Sequence, residues 1–382
     1  MAGIYIHIPF CRQACYYCNF HFSTSQGLFD DMIASLAKEI FLARNFLLND
    51  KSGPEIIETI YIGGGTPSLL KGDDIKNLFT AISDNYNIAE KAEITLEANP
   101  DDIDGRKLFE WKNAGINRLS IGIQSFHDKD LKWMNRVHNV LQARNSIKLA
   151  GDEVFENFSI DLIYGIPGLT DDDWQMNIDY AIENNIPHIA CYALTVEPRT
   201  ALQKMIASKK KSNVDASVQA AQFELLMNRM RSAGYEHYEV SNFCKPGFRS
   251  KHNSSYWHGK KYIGIGPSAH SYDGAHRRWN IANNPLYIQS IKTNKIPFEE
   301  EKLTYANKLN EYIMISLRTI EGIDLEKIKT DFSPEERLRI LDLIDKKNYT
   351  GSDLVMVNEK SVSLTDKGKL FADGIASELF TI

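Results

Sequence analysis

The chain has 382 residues, 43% of them hydrophobic and 25% charged, with a net charge of −6. That length suggests two domains, and the acidic balance argues against nucleic acid as a partner. No apolar run is long enough for a transmembrane helix and no signal-peptide core opens the chain; five cysteines, three of them clustered, fit a reducing cytoplasm.

In chain order, a β-branched and aromatic run at 4–8 reads as a strand that Pro9 ends. Cys11, Cys15 and Cys18 follow in one loop as Cys-x3-Cys-x2-Cys. Three such thiolates can grip three irons of a cubane cluster, and because clusters usually take four cysteines, one iron stays open. S-adenosylmethionine (SAM) can chelate that iron through its amino and carboxylate groups, and an electron from the cluster can then cleave its sulfonium C–S bond. The spacing resembles that of the radical-SAM superfamily. The alternative is a zinc knuckle completed by His7 or His21. Zinc sites usually bring ligand pairs from separate parts of the chain, however, and Cys191 and Cys244 stand alone.

Apolar periodicity predicts a helix over 29–48, with Ile33, Leu36, Ala37 and Ile40 on one face, and Lys51–Pro54 reads as a turn. Strands are predicted at 59–62, 93–97, 118–123, 158–163 and 188–194, alternating with helices at 73–86, 105–114, 140–149 and 172–183. With the first strand, that makes six strands of a parallel α/β fold. Six are too few for a closed eight-fold barrel. They suit a partial (β/α)6 TIM-like barrel, whose ligand-binding residues gather at the carboxyl ends of the strands.

Those ends carry chemistry. The first ends at the cysteines. The second ends at Gly63-Gly64-Gly65-Thr66-Pro67, where glycines allow close backbone approach and Thr66 can cap a helix begun by Pro67. The third ends at Glu97-Ala98-Asn99-Pro100, a carboxylate placed to take ribose hydroxyls or, equally, a solvated strand-end acid. The fourth ends at Gly122-Ile123-Gln124-Ser125, the fifth at Asp161 and the sixth near Ala193.

On these pieces, with Arg118 to Phe126, Arg136 and His138, and Asp161 to Gly168, residues 3 to about 280 resemble the coproporphyrinogen-oxidase-like branch of the radical-SAM superfamily. The resemblance implies that Cys11, Cys15 and Cys18 bind a 4Fe–4S cluster and that Tyr5, Gly64 and Glu97 contact the SAM on it. It implies that Tyr17, Gly65, Thr66, Gln124, Arg136 and Asp161 lie along the same cavity, where the oxidase branch holds a second SAM. Read without it, Arg136 and Asp161 are equally an ion pair, and Tyr5 and Tyr17 packing aromatics.

Further on, Lys209–Lys211 reads as a solvated turn, 215–233 as a helix with Phe223, Leu226 and Met230 on its core face, and 235–243 as a strand. The run His252-Asn253-Ser254-Ser255-Tyr256-Trp257 resembles a signature of HemW-type heme chaperones. On a helix His252 and Tyr256 share a face, and either could ligate heme iron. The bland reading is a His–Asn–Tyr hydrogen-bond cluster bracing the barrel's open edge. The turn Gly264–His270 is expected to close one side of the SAM pocket. From about 297 the pattern changes to helices at 303–317, from 322 and at 335–343, a two-stranded wing at 355–364 and a helix at 366–379. This predicts a winged-helix-like α+β domain at 291–382 behind a barrel domain at 1–290. It is not conspicuously basic, so it reads as a lid or docking module.

Two departures separate the chain from the oxidases it resembles. Phe20 stands where they carry a further cysteine, and only ten residues precede Cys11. The resemblance therefore implies a heme chaperone that keeps the cluster and SAM, carries heme or another porphyrin to acceptor proteins and draws electrons from a small reductant. Oxygen-independent coproporphyrinogen III oxidation is the alternative. A homodimer through the cluster loop and a transient membrane contact during delivery are further expectations.

Overall fold

A computed structural model describes residues 2–49, 53–152 and 155–381; Lys51 and Ser52 of the expected turn lie outside them. In the first strand, β1 (Ala2–Ile8), strict alternation puts Ile4, Ile6 and Ile8 into one hydrophobic cluster with Met32, Leu36 and Ile40 of helix α1 (Phe29–Leu42). Gly3, Tyr5 and His7 share the opposite face, toward the barrel interior. The same logic repeats through β2 (Ile56–Gly64), β3 (Asn87–Ala98), β4 (Arg118–Gln124), β5 (Phe158–Tyr164) and β6 (His188–Ala193). Neighbouring members of this series pair in parallel. Helices Gly72–Ser83, Gly105–Asn113, Val140–Gly151 and Asp171–Glu183 connect them.

Three features go beyond the sequence reading. A further parallel strand, Lys261–Ile265, pairs with β1 on the side away from β2. The segment expected as one strand at 235–243 is an antiparallel hairpin, Glu236–Glu239 and Asn242–Cys244, lying against β6. A short helix, Asp128–Met134, follows β4 and ends on Asn135 in the left-handed conformation at φ 61°. The large sheet has twelve strands in linear order, with the hairpin at one edge and Phe298–Lys302 at the other. The barrel is therefore open, and its sheet runs past residue 290 to Lys302.

A second hydrophobic cluster, including Leu309, Ile313, Ile340, Val362 and Ile375, belongs to the C-terminal unit. It packs helices Tyr305–Leu317 and Pro334–Lys346 on a small antiparallel sheet of Ile323–Asp324, Val355–Val357 and Ser361–Leu364. The helix expected at 366–379 is broken into Asp366–Lys369 and Ala372–Glu378. This unit docks on the hairpin edge: the Val240 N–H donates to the Arg318 carbonyl at 2.9 Å and the Ile320 N–H to the Tyr238 carbonyl at 3.0 Å. The main-chain groups of an exposed edge are thereby satisfied.

Candidate functional site

A cavity of about 640 Å³ opens at the carboxyl ends of β1 to β6 and runs down the barrel. Cys11, Cys15 and Cys18 lie at its mouth, on a loop tied at several points. The Cys11 N–H donates to the Ser23 carbonyl at 3.0 Å and the Tyr16 N–H to the Met134 carbonyl at 3.1 Å, while the Leu202 N–H donates to the Tyr16 carbonyl at 2.8 Å. Asn135 reaches back to donate to the Ala14 carbonyl at 2.7 Å. The unforeseen helix Asp128–Met134 is thus part of the loop's support. Burial pushes the Cys11 thiol up and carries Cys18 to about 11, against a lowering hydrogen bond in each case, from Thr66 and from the Phe20 main chain respectively.

Among the described residues, no three His, Cys, Asp or Glu side chains converge closely enough to hold one ion. Of the zinc-knuckle histidines, His7 has both ring nitrogens engaged and His21 one. His7 Nε2 donates to the His21 carbonyl at 2.8 Å while Nδ1 accepts from Tyr5, and His21 Nε2 donates to Asn284 at 2.7 Å. Three soft thiols with no fourth protein ligand fit a polynuclear iron–sulfur group better than zinc.

Beside the cysteines, the glycine run lets β2 end flush against them. A Cβ on Gly65 would stand 2.6 Å from the Phe10 carbonyl oxygen, and Gly64, at φ +109°, would meet the His7 ring at 2.6 Å. Thr66 makes no capping bond to the short helix after it and instead accepts from Asn99 Nδ2 at 3.3 Å. Glu97 accepts from the Tyr61 hydroxyl at 2.8 Å and the Gly64 N–H at 3.1 Å. Burial, aided by the nearby Asp161 charge, raises its carboxyl to about 7 despite those two bonds. Asp161 is raised to about 6 by burial, moderated by Arg118 and Arg136, and accepts from Ser120 at 3.4 Å.

Arg136 does not pair with Asp161. Its guanidinium donates to Asn99 Oδ1 at 2.7 Å, the Gly122 carbonyl at 2.9 Å and the Cys15 sulfur at 3.5 Å. Gln124 sits at φ 69° where the β4–β5 register shifts, which folds its amide back over Gly122. Tyr17 also lines the cavity. Lower down, buried His188 Nδ1 and Asn242 Oδ1 find no partner among the described residues, so the chamber is lined for polar contents.

The pattern of the Radical SAM superfamily matches residues 5–181. The heme chaperone HemW of Bacillus subtilis is 33% identical over 382 residues, covering 98% of each chain. That of Mycobacterium tuberculosis H37Rv is also 33% identical, over 99% of this chain and 94% of its own. The chain belongs to the HemW family. Coproporphyrinogen III oxidase (HemN) from Escherichia coli, described as a radical SAM enzyme, superposes with a TM-score of 0.84 over 100% of this chain and 90% of its own; at 22% identity it shares the fold. Membership of the radical-SAM superfamily implies a 4Fe–4S cluster and SAM.

In this HemW-family chain eleven of the fourteen residues singled out from the sequence line the one cavity: Cys11, Cys15, Tyr17, Cys18, Gly64, Gly65, Thr66, Glu97, Gln124, Arg136 and Asp161. Three stand apart. Tyr5 lies behind Tyr61, stacked at 6.2 Å, and donates to His7 Nδ1 at 3.1 Å. It is Tyr61, not singled out from the sequence, that bonds Glu97. Its shared parity with Gly63 on β2 was the available signal. His252 and Tyr256 lie on helix Lys251–Trp257, which plugs the amino end of the barrel with its first N–H groups on Glu93. His252 is 2% exposed, bonded through Nδ1 to Thr59 at 2.8 Å and through Nε2 to Tyr256 at 2.9 Å, and stacked on Tyr61 at 5.0 Å. Both ring nitrogens are therefore engaged, but the brace differs from the expected His–Asn–Tyr cluster at the open edge: Thr59, not Asn253, is the second partner, and the helix sits at the amino end. The Gly264–His270 turn does not reach the cavity. Gly266 packs on the His7 carbonyl and donates to buried Glu39 at 2.7 Å.

Proposed function

We propose that this chain is a heme chaperone that holds a 4Fe–4S cluster and SAM and passes heme to acceptor proteins, with electrons from a small reductant. The observation that carries the reading is the likeness to HemW chaperones over nearly the whole chain, C-terminal unit included. Phe20, 67% exposed at the cavity mouth, supports it against the oxidase, whose further cysteine would stand there.

Cys11, Cys15 and Cys18 hold the cluster in this proposal. When bound, the cluster supplies electrons and an iron position left open to the amino and carboxylate groups of SAM. The chain's own residues do the rest. Gly64 and Gly65 line the wall beside the cysteines, their N–H groups bonded to Glu97 and the Ile8 carbonyl, and Glu97, fixed by Tyr61, accepts from ribose hydroxyls. Arg136 places positive charge beside Cys15, while Thr66, Tyr17, Gln124 and Asp161 line the remaining path. Tyr5 supports Tyr61 from behind, and His252 with Tyr256 braces the floor. The barrel domain and the C-terminal domain, which meet at the hairpin edge, enclose the cavity between them. No helix among the described residues is long and apolar enough to cross a membrane.

The test uses anaerobically reconstituted protein, given heme and then an apo-acceptor hemoprotein. Transfer of heme is expected, and no carbon dioxide is expected from coproporphyrinogen III with SAM and a reductant. Stoichiometric release of carbon dioxide would reinstate the oxidase.

A further inference from the structure

Two cavity-lining residues come from the C-terminal helices that dock on the sheet edge: Arg318, at the end of Tyr305–Leu317, and Asp373, in Ala372–Glu378. Among the described residues, the cationic side chains that line the cavity are Arg12, Arg136 and Arg318. An anionic ligand group entering from solvent meets three different situations at them.

Arg12 is held at 2.6 Å by Asp102, whose side chain is 1% exposed. Breaking that pair leaves a buried carboxylate with only the Ser68 hydroxyl and, at 3.6 Å, Lys107, a costly step. Arg136 has its guanidinium shared among Asn99, the Gly122 carbonyl and the Cys15 sulfur. Arg318 differs. Among the described residues its one side-chain hydrogen bond runs from Nη1 to Asp373 Oδ1 at 2.6 Å, and that aspartate is 72% exposed while the arginine is 25% exposed. A carboxylate so well solvated gains little from an ion pair and loses little on leaving it. The guanidinium also lies 5.7 Å from the Trp257 ring, a face contact that positions it without using its N–H donors. Its main chain is fixed, because the Arg318 carbonyl accepts the Val240 N–H at 2.9 Å. The side chain can therefore change partner with the docking seam intact.

We propose that Arg318 is the residue that receives a carboxylate of the cavity's ligand, with Asp373 as its internal placeholder. The planar fork of arginine suits a carboxylate in two-point contact. The ligand class is a tetrapyrrole bearing free propionates, an assignment that rests on the heme reading above. SAM also carries a carboxylate, so the test separates the two. Exchange at Arg318 would release Ala372–Glu378 from its one side-chain tie to that arginine, coupling cargo entry to the C-terminal unit.

The experiment titrates the full-length reconstituted protein with iron protoporphyrin IX and with its dimethyl ester, followed by absorbance, and with SAM, followed by calorimetry. Arg318→Gln is expected to weaken the free acid roughly ten- to hundredfold, the loss of one charge-assisted hydrogen bond, and to leave the diester and SAM unchanged. Arg318→Lys should recover part of the loss, and Asp373→Asn should bind the free acid at least as tightly as the native chain. Equal weakening of acid and diester would make Arg318 merely structural and overturn the proposal, as would a loss confined to SAM. If the native chain binds neither porphyrin, the chaperone reading itself falls. If it binds the free acid and Arg318→Gln does so equally, only this assignment falls.

Discussion

Tyr61 and Glu97 stand on adjacent strands, and the phenol of one donates to the carboxylate of the other at 2.8 Å. That bond, with the Gly64 N–H on the other oxygen, favours the ionised form, yet burial still lifts the acid to about 7. A group raised this far loses its charge as pH falls through the neutral range. SAM affinity should therefore drop between about pH 8 and about pH 6, with its midpoint near 7, and the profile should be flat in Glu97→Gln. Tyr61→Phe should move the midpoint upward. Calorimetric titration across pH reads both.

Each of Cys11→Ala, Cys15→Ala and Cys18→Ala is expected to abolish the cluster after anaerobic reconstitution. Iron and acid-labile sulfide should fall to background and the broad visible absorption should vanish. Folding should survive, because main-chain bonds and Asn135 tie the loop, and its sulfurs add only weak contacts such as that of Arg136 with Cys15 at 3.5 Å. A zinc content of one per chain in place of iron would refute the assignment.

His252→Ala should destabilise the barrel by roughly 2–4 kcal/mol, since it opens a cavity beneath Tyr61 and strands Thr59. Tyr256→Phe, which removes one hydroxyl, should cost about 1 kcal/mol. Denaturant midpoints give both values. The heme spectrum of His252→Ala should match the native one; a changed axial-ligand signature would return His252 to the heme site.

Stability against pH follows from groups that pull in opposite directions. Burial lowers His7 to about 4 and His138, His237 and His252 to about 3, so these rings are neutral in the fold and take up protons on unfolding. Their contribution is lost as pH falls below about 6.5. Burial raises Glu39 to about 6, Glu97 to about 7 and Asp161 to about 6, so here the folded state binds more protons, which favours it as pH falls. His188 and His270 are also lowered and Asp101, Asp130, Glu239 and Glu311 also raised, so the two sets nearly offset each other until the acids of the unfolded chain protonate as well, near pH 4.5. The unfolding midpoint should be almost level from about pH 7 to about pH 5 and fall steeply below about 4.5. A steady decline beginning near 6.5 would show that the buried acids are not raised.

The strand ends were the legible part of this chain. Alternation located β1 to β6, and reading what each delivers at its carboxyl end collected most of the cavity wall. Legibility failed where local signals were ambiguous. The glycines of 264–266 look like those of 63–65, but they let main chain approach main chain instead of leaving a strand end facing the cavity. Residues 128–134 are too few for a periodic pattern, and the sign of their end was an asparagine suited to a left-handed cap. The hairpin at 236–244 reads as one strand because its turn, Val240-Ser241, carries no glycine or proline. His252 reads alike as ligand or brace until its neighbours across the barrel, Thr59 and Tyr61, are known.

The loop's anchors bear on how the protein is made. Its three sulfurs precede by more than a hundred residues the groups that hold the loop in shape, Met134, Asn135 and Leu202. Under the proposed assignment, cluster loading has to wait until synthesis has passed Leu202, and a nascent chain paused earlier would expose bare thiols.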